Sequence, residues 1–337
     1  MKFALVHRRF TTNGGTERYL VGLARFLVGQ GHEVTVLCNE VREDLRAEPG
    51  VRFVHLPMWR PVKALSLALS VFRALRSERY DGILGLGRHW GHTVYRAGGG
   101  SHVDYLRRAH PIRRWLSPGD WLDSLLDRLA VRSARVCIAN SELGAAGLRS
   151  DHGAPRVEVI YNGVDLQRFR PDPEVRRAVR EELGADGRVA IFVGNGFVRK
   201  GLDVAIAALP AGWTLWVVGG DPPVPAPPSV RFLGSRRDPE RFLQAADVMI
   251  LPTRYDPFAN VCLEALACGI PALTTRANGA SEVVPEPWMV CEAVEEFRAA
   301  FARVTPDLGP ACRRAAEAFT PERSYRRALA LLSETSS

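Results

Sequence analysis

The chain has 337 residues, 46% apolar and 24% charged, which is enough apolar matter for two globular domains and excludes a disordered polymer. Its formal charge of +8 suits an anionic partner such as a nucleotide, a nucleic acid or an acidic membrane surface. No run approaches the roughly eighteen apolar residues of a membrane span, and the opening MKFALVHRRF reads as a strand rather than a signal peptide, so cytoplasmic residence is expected.

In chain order, the strand candidates of the first half are Phe3 to Val6, Val34 to Cys38, Phe53 to Leu56, Ile83 to Leu86, Val136 to Ala139 and Val157 to Tyr161, with helical stretches between them. Such alternation predicts a mostly parallel sheet. Around Gly163 to Gly187 the sequence turns polar, and alternation restarts at Val189 to Val193, followed by Thr214 to Val218, Val230 to Leu233, Val248 to Leu251 and Ala272 to Thr274. Helices are expected near 201–208, 239–245 and 260–268. The predicted fold class is therefore α/β, with two doubly wound Rossmann-like domains over 1–165 and 166–320, and 321–337 as a C-terminal helix free to return to the first domain. Two such domains facing each other would share a central cleft. Six cysteines lie scattered with no C-x-x-C pair, which argues against both a zinc site and a disulfide framework.

Near the N-terminus, Asn13-Gly14-Gly15-Thr16 follows the first strand and opens a helix, so its glycines allow close approach of a ligand or simply make a tight connection. No G-x-G-x-x-G fingerprint occurs there, which argues against a dehydrogenase. The run YRAGGGSH, 95–102, is a glycine-rich loop ending in an imidazole, and His102 is either a catalytic or acceptor-positioning group or an ordinary surface or cap histidine. Directly after it, Arg107, Arg108, Arg113 and Arg114 interleave with Tyr105, Leu106, Ile112, Trp115 and Trp121. That composition fits either an interfacial patch on an anionic membrane or an amphipathic helix packed inside its domain. No nucleic-acid-binding motif accompanies the charge, so nucleic acid is not an expected partner.

Only three lysines stand against forty-two arginines, and one of them, Lys200, sits in GNGFVRKGLD, 194–203. Arg199 and Lys200 there can grip a diphosphate, arginine bidentately and lysine as a point charge, or can be two solvated cations at a turn; the P-loop spacing is absent. The segment YDPFANVCLEALACG, 255–269, is the most informative. Pro257 favours a first helical turn, Asp256 stands at its mouth, and Glu264 lies about two turns further in. Exposed amides at such a helix start attract phosphate or sugar oxygens. No D-x-D pair or metal-spaced His/Asp/Glu cluster occurs, so metal-independent chemistry without a cofactor is expected, with arginine and lysine in place of a divalent ion.

With these residues in view, the chain resembles the retaining nucleotide-sugar glycosyltransferases of glycosyltransferase family 4. The matching text is NGGTER at 13–18, YNGVDLQRFRP at 161–171, VGNGFVRKGLD at 193–203, FLGSRRDPERFLQAADVMILPT at 232–253 and YDPFANVCLEALACGIPALTT at 255–275. The adjacent Arg-Lys-Gly at 199–201 and the chain length look most like the lipopolysaccharide core glucosyltransferase I branch. The resemblance implies a GT-B fold and a UDP-sugar as donor substrate. It implies that Arg199 and Lys200 hold the donor diphosphate, Glu264 the ribose hydroxyls and Asp256 a sugar hydroxyl. It further implies that Phe258, Ala259 and Asn260 present backbone amides to the donor and that Gly15 lets the N-terminal loop close over the phosphate. His102 and Asp256 are the catalytic candidates, acting in a front-face displacement. The implied acceptor is a lipopolysaccharide core or other lipid-linked glycan reached at the inner membrane face. The rivals are a soluble or exopolysaccharide acceptor, a non-catalytic sugar-nucleotide binding protein, and a nucleotide-sugar epimerase. The sequence departs from the family's usual text at Asp256, shorter than the usual Glu; at Ala259, for a usual Gly; and at Asn195, where many relatives carry Arg.

Overall fold

Short strands made almost wholly of Val, Leu, Ile and Ala cannot leave either face in water, and a parallel sheet covered by helices on both sides is the arrangement that buries both. The computed structural model, which describes residues 1–12, 14–59, 63–109, 117–220 and 227–336, shows two such sheets. They lie in separate units: Met1–Tyr161 with Pro321–Ser337, and Asn162–Thr320.

The sheet of the first unit has seven parallel strands: β1 (Lys2–Val6), β2 (Glu33–Cys38), β3 (Val51–His55), β4 (Gly82–Gly85), β5 (Val94–Arg96), β6 (Val136–Ala139) and β7 (Val157–Val159). Their spatial order is β3-β2-β1-β4-β5-β6-β7. β1 lies third in that order, inside the sheet, with Leu5 level with Val36 on one side and Leu84 on the other. The helices are α1 (Gly15–Gly29), α2 (Lys63–Arg76), α3 (His102–Ala109), α4 (Pro118–Ser133) and α5 (Glu142–His152). Their ends carry local signals: Ser117 caps α4 through the Asp120 amide with Pro118 behind it, Ser141 caps α5 through the Gly144 amide, and Gly153 closes α5 in the left-handed region.

The second unit has five parallel strands, β8 (Arg188–Val193), β9 (Trp213–Val218), β10 (Val230–Gly234), β11 (Val248–Leu251) and β12 (Ala272–Thr274), in the order β10-β9-β8-β11-β12. Around them lie α6 (Pro173–Glu182), α7 (Phe197–Lys200), α8 (Leu202–Ala208), α9 (Pro239–Ala245), α10 (Asn260–Ala267), α11 (Val294–Ala302) and α12 (Gly309–Glu317).

Two expectations shift, and the last helix packs on the first unit, as the sequence allowed. The break between units falls after Tyr161 rather than after 165, because Val164 is buried and its amide bonds the Phe319 carbonyl inside the second unit. The last helix, α13 (Pro321–Glu334), belongs to the first unit, where Ala328, Leu331 and Leu332 share a core with Leu20, Leu23 and Leu27. Gly22 makes room for it, since a Cβ there would stand 2.0 Å from the Tyr325 hydroxyl. The run beginning at Tyr95 is not wholly loop: Val94–Arg96 is a buried strand, too short and too close to its glycines to stand out by periodicity. Among the described residues no helix is long and apolar enough to cross a membrane.

Candidate functional site

In the second unit, three loops leave the carboxyl ends of β8, β11 and β12 and are stitched together by hydrogen bonds. The Thr275 hydroxyl donates to the Thr253 carbonyl at 2.6 Å, and the Thr253 hydroxyl and Arg254 amide both reach the Arg199 carbonyl, at 3.0 and 2.8 Å. The Asp256 amide donates to the Ala277 carbonyl at 2.9 Å. This edge of a parallel sheet is where ligands of doubly wound folds bind.

The expected motif residues meet here. Arg199 Nη1 donates to Asp256 Oδ2 at 3.0 Å and to the Tyr255 carbonyl at 2.8 Å, and Lys200 Nζ stands 3.7 Å from the same carboxylate oxygen. Lys200 is 9% exposed. Glycine explains how it is held: Gly194 has φ 142, and a Cβ there would lie 2.6 Å from Lys200 Cε, so only a glycine lets the lysine fold back across the turn. Arg199 and Lys200 are the last residues of α7 rather than a turn before a helix, and Gly201, at φ 75, starts α8 with no room for a side chain beside the Pro252 carbonyl.

The next segment is corrected in two ways. α10 runs Asn260–Ala267, in the range expected for it, and leaves Pro257 outside, so Glu264 lies one turn into the helix rather than two. The amides of Phe258 and Ala259 were expected to face a donor, yet Phe258 donates to Asp256 Oδ1 at 3.2 Å and Ala259 to Asn278 Oδ1 at 3.0 Å. Of the three amides, Asn260 alone has no such internal acceptor among the described residues; its side-chain oxygen accepts from Asn162 Nδ2 at 2.5 Å. Asn278, fully buried, is the organising residue that sequence reasoning missed. Its Oδ1 also accepts from the Ala280 amide at 3.1 Å, and its Nδ2 reaches Thr274 Oγ1 at 2.9 Å. An Asn-Gly pair in the loop after a strand was the available signal.

In the first unit, a cavity of about 410 Å³ opens at the carboxyl ends of β1, β4 and β5. Arg8, Lys63, Arg88, His89, Asp123 and Asp127 are among its lining residues. Gly15 starts α1 beside it, behind Gly14, whose missing side chain leaves space for Glu17.

His102 is not where a catalytic side chain was expected. It is 6% exposed and does not line the cavity. Arg88 Nη2 donates to its Nδ1 at 3.0 Å, which leaves the ring proton on Nε2, 3.5 Å from Asp120 Oδ1. Burial, then the Arg88 charge, lowers its pKa. With one nitrogen occupied and the other buried against a carboxylate, the ring is a structural element and not a free base. Potential ligand atoms on His102, Asp120 and Asp123 fall within 4.8 Å of one another, but Arg88 bonds both His102 and Asp123 (3.0 Å), so a guanidinium already supplies the cation.

Beneath His102 lies Asp127, 1% exposed, which accepts from the His102 amide at 2.9 Å and the Tyr95 hydroxyl at 3.1 Å and pairs with His152 at 3.1 Å. Burial raises its pKa, but His152, Arg88 and the His102 amide outweigh that and hold the carboxyl below the usual aspartate range. Its signal was an aspartate beside Leu126 on the buried face of an amphipathic helix, where an unpaired acid would be too costly.

The arginine–aromatic stretch is only partly described, since Arg113, Arg114 and Trp115 lie outside the described residues. Arg107 and Arg108 are exposed, but Arg107 pairs with Asp104 (3.3 Å) and Asp151 (2.7 Å), and Arg108 with Asp104 (2.8 Å), so neither is reserved for lipid. The apolar exposure lies instead on α4, where Trp121 (59%), Leu125 (53%) and Leu129 (41%) follow one another at helical spacing beside Arg128 and Arg132.

Comparison with known proteins accords with this geometry. Residues 13–168 match the model of Glycosyltransferase Family 4, and residues 187–307 that of Glycosyl transferases group 1. A probable transglycosylase of Burkholderia thailandensis is 30% identical, covering 90% of this chain and 88% of its own. The crystal structure of WaaG, a glycosyltransferase involved in lipopolysaccharide biosynthesis, superposes with TM-score 0.81 at 19% identity over 98% of this chain and 99% of that one. HepE of Anabaena, in complex with UDP-glucose, gives TM-score 0.75 at 19% identity over 99% and 100%. Two parallel-sheet units, each with its candidate groups at the carboxyl edge, make the fold GT-B and the class a glycosyltransferase. The chain belongs to glycosyltransferase family 4.

Proposed function

We propose that the protein is a retaining, metal-independent hexosyltransferase that moves a glucose-like residue from a UDP-sugar to a lipopolysaccharide core or other lipid-linked glycan. The observation that carries this reading is the convergence of Arg199 and Lys200 on Asp256 at the carboxyl edge of the second sheet, with Glu264 one turn into the adjoining helix. Two cations there can stabilise a departing diphosphate without a divalent ion, while Asp256 and Glu264 accept hydroxyl protons of sugar and ribose. Asn260 at the start of α10 adds an amide for an anionic oxygen. UDP-glucose bound by HepE and the lipopolysaccharide role of WaaG support the choice of donor and acceptor.

Peripheral attachment to the inner membrane face is the cellular setting that suits a lipid-linked acceptor. The exposed Trp121, Leu125 and Leu129 with Arg128 and Arg132 fit the interfacial pattern of aromatic and aliphatic groups beside headgroup-binding cations. Co-flotation with vesicles rich in phosphatidylglycerol, lost in a Trp121→Glu/Leu125→Glu variant, is the expected result; flotation independent of both residues would remove α4 from the interface.

The decisive experiment is a panel of UDP-, GDP- and ADP-sugars scored for thermal stabilisation and nucleotide release, with and without a lipid-bearing core acceptor. Stabilisation by one donor with acceptor-dependent release of its nucleotide, and an axial product linkage by NMR from an axial donor, is the expected outcome. Stabilisation without release would mean a binding protein, and no stabilisation by any donor would overturn the reading.

A further inference from the structure

The cavity of the first unit has an excess of positive charge that its own acids do not neutralise. Four cationic side chains, Arg8, Lys63, Arg88 and Arg96, line it against two carboxylates, Asp123 and Asp127. Both carboxylates are engaged elsewhere: Asp123 by Arg88 at 3.0 Å, and Asp127 by His152, Tyr95 and a backbone amide. Arg96 is buried, with its guanidinium stacked 3.8 Å over the Tyr19 ring. Arg8 and Lys63 remain, and among the described residues neither has an acidic partner. Cations held without counterions on a concave wall concentrate anions far more strongly than the same cations on an open surface.

A second observation points into the same space. His89 is 3% exposed, lines the cavity, and its Nε2 has no hydrogen-bond partner. Burial, with His92 adding to it, keeps its imidazole neutral. His92 Nε2 donates to the Ala130 carbonyl at 2.8 Å, so the 3.4 Å contact between the two Nδ1 atoms takes its proton from His89, and His89 Nε2 is left as a lone-pair acceptor for a ligand hydroxyl. An unsatisfied buried polar atom of this kind is uncommon and calls for a partner. The cavity lies at the carboxyl ends of β1, β4 and β5, the edge that offers loops and helix starts to ligands.

We infer that this cavity takes the acceptor through an anionic group, a phosphate or carboxylate bound by Arg8 and Lys63, so that the acceptor class is an acid-bearing sugar rather than a neutral one. The inference rests on the transferase reading above. A sugar phosphate or uronate would place its charge on the two cations and let a hydroxyl donate to His89 Nε2. The same chemistry is met by a soluble sugar phosphate and by a phosphorylated lipid-linked glycan.

Titration calorimetry on the UDP-saturated full-length protein tests it. Glucose 6-phosphate and glucuronate are compared with glucose in one arm; in the other, a phosphorylated lipid-linked core oligosaccharide in detergent micelles is compared with its dephosphorylated form. At least one charged ligand should bind about tenfold or more tightly than its neutral counterpart, and whichever arm shows this names the source. Arg8→Gln and Lys63→Gln should each reduce that affinity about tenfold and the pair about a hundredfold, with UDP affinity unchanged. Equal binding of charged and neutral ligands, no binding of any of them, or a charge preference intact in the double variant would overturn the inference. Failure of UDP to bind the wild-type protein strikes at the transferase reading instead, and the charged-against-neutral comparison then still decides the cavity on the nucleotide-free protein.

Discussion

All eight histidines lie within residues 1–161, and four of them, His89, His92, His102 and His152, are buried there beside Arg96, Asp104, Asp120 and Asp127. The unit formed by 162–320 contains no histidine, and among its described residues Lys200 is the one buried charged side chain. The difference teaches that the two halves use charge for different ends. In the first unit ionisable groups are locked to one another inside the fold, and their cost is offset by mutual pairing. In the second, a few charges are held at the sheet edge by glycine turns and one asparagine, where a ligand can still reach them.

Removal of the second unit's buried cation should give the largest effect. Lys200→Ala is expected to lower turnover roughly a thousandfold at saturating donor, the scale of losing a preorganised charge-stabilising group, while circular dichroism and the urea midpoint stay near wild type. Full activity in this variant would break the donor-site side of the comparison.

Acid should separate the two units next. Burial pushes the His92 pKa down to about 4, and burial together with His92 lowers that of His89 as well. Because the unfolded chain binds these protons near pH 6.5, stability contributed by the neutral rings is complete above about pH 6.5 and falls as pH drops toward 4, by about 3 kcal/mol for His92. Hydrogen exchange followed by mass spectrometry across that window should show protection lost first in 1–161, with the loss flattened in His92→Asn. Equal loss in both units would erase the contrast.

Smaller effects test how the donor edge is held. Asn278→Ala leaves the Ala259 and Ala280 amides without their acceptor and should cost about 2 kcal/mol in urea unfolding, with UDP affinity reduced through the displaced 256–260 segment. Gly194→Ala is expected to cost roughly 1–2 kcal/mol and raise the donor KM by moving Lys200, since φ 142 disfavours any side chain and the new Cβ meets the lysine stem.

Much of this was legible in the chain. The strands β8, β9, β11 and β12 follow the apolar runs almost to the residue, because a strand buried on both faces must be apolar throughout. Arg199, Lys200, Asp256 and Glu264 were found because each lies in a short segment whose glycines and prolines mark the turn that presents it. The helix expected near 260–268 is α10, but the first turn that Pro257 favours does not form, because the Phe258 and Ala259 amides find side-chain acceptors that hold the segment extended. His102 was misread because a histidine after three glycines looks mobile, and nothing local announces that Arg88, fourteen residues earlier, will seal its ring.

By itself the sequence determined the class of fold, the two-unit division to within a few residues and the donor-side motif, since periodicity, turn chemistry and short-range spacing are properties of neighbouring residues. Tertiary structure alone decided which charges are spent on one another. Asp127 meets groups from β5, α3 and α5, Asn278 ties α10 to the loop after β12, and Arg8 and Lys63 come to line one cavity. Pairings between residues tens of positions apart depend on how the sheet orders its strands, and that order is set by the packing of the whole unit rather than by any one segment.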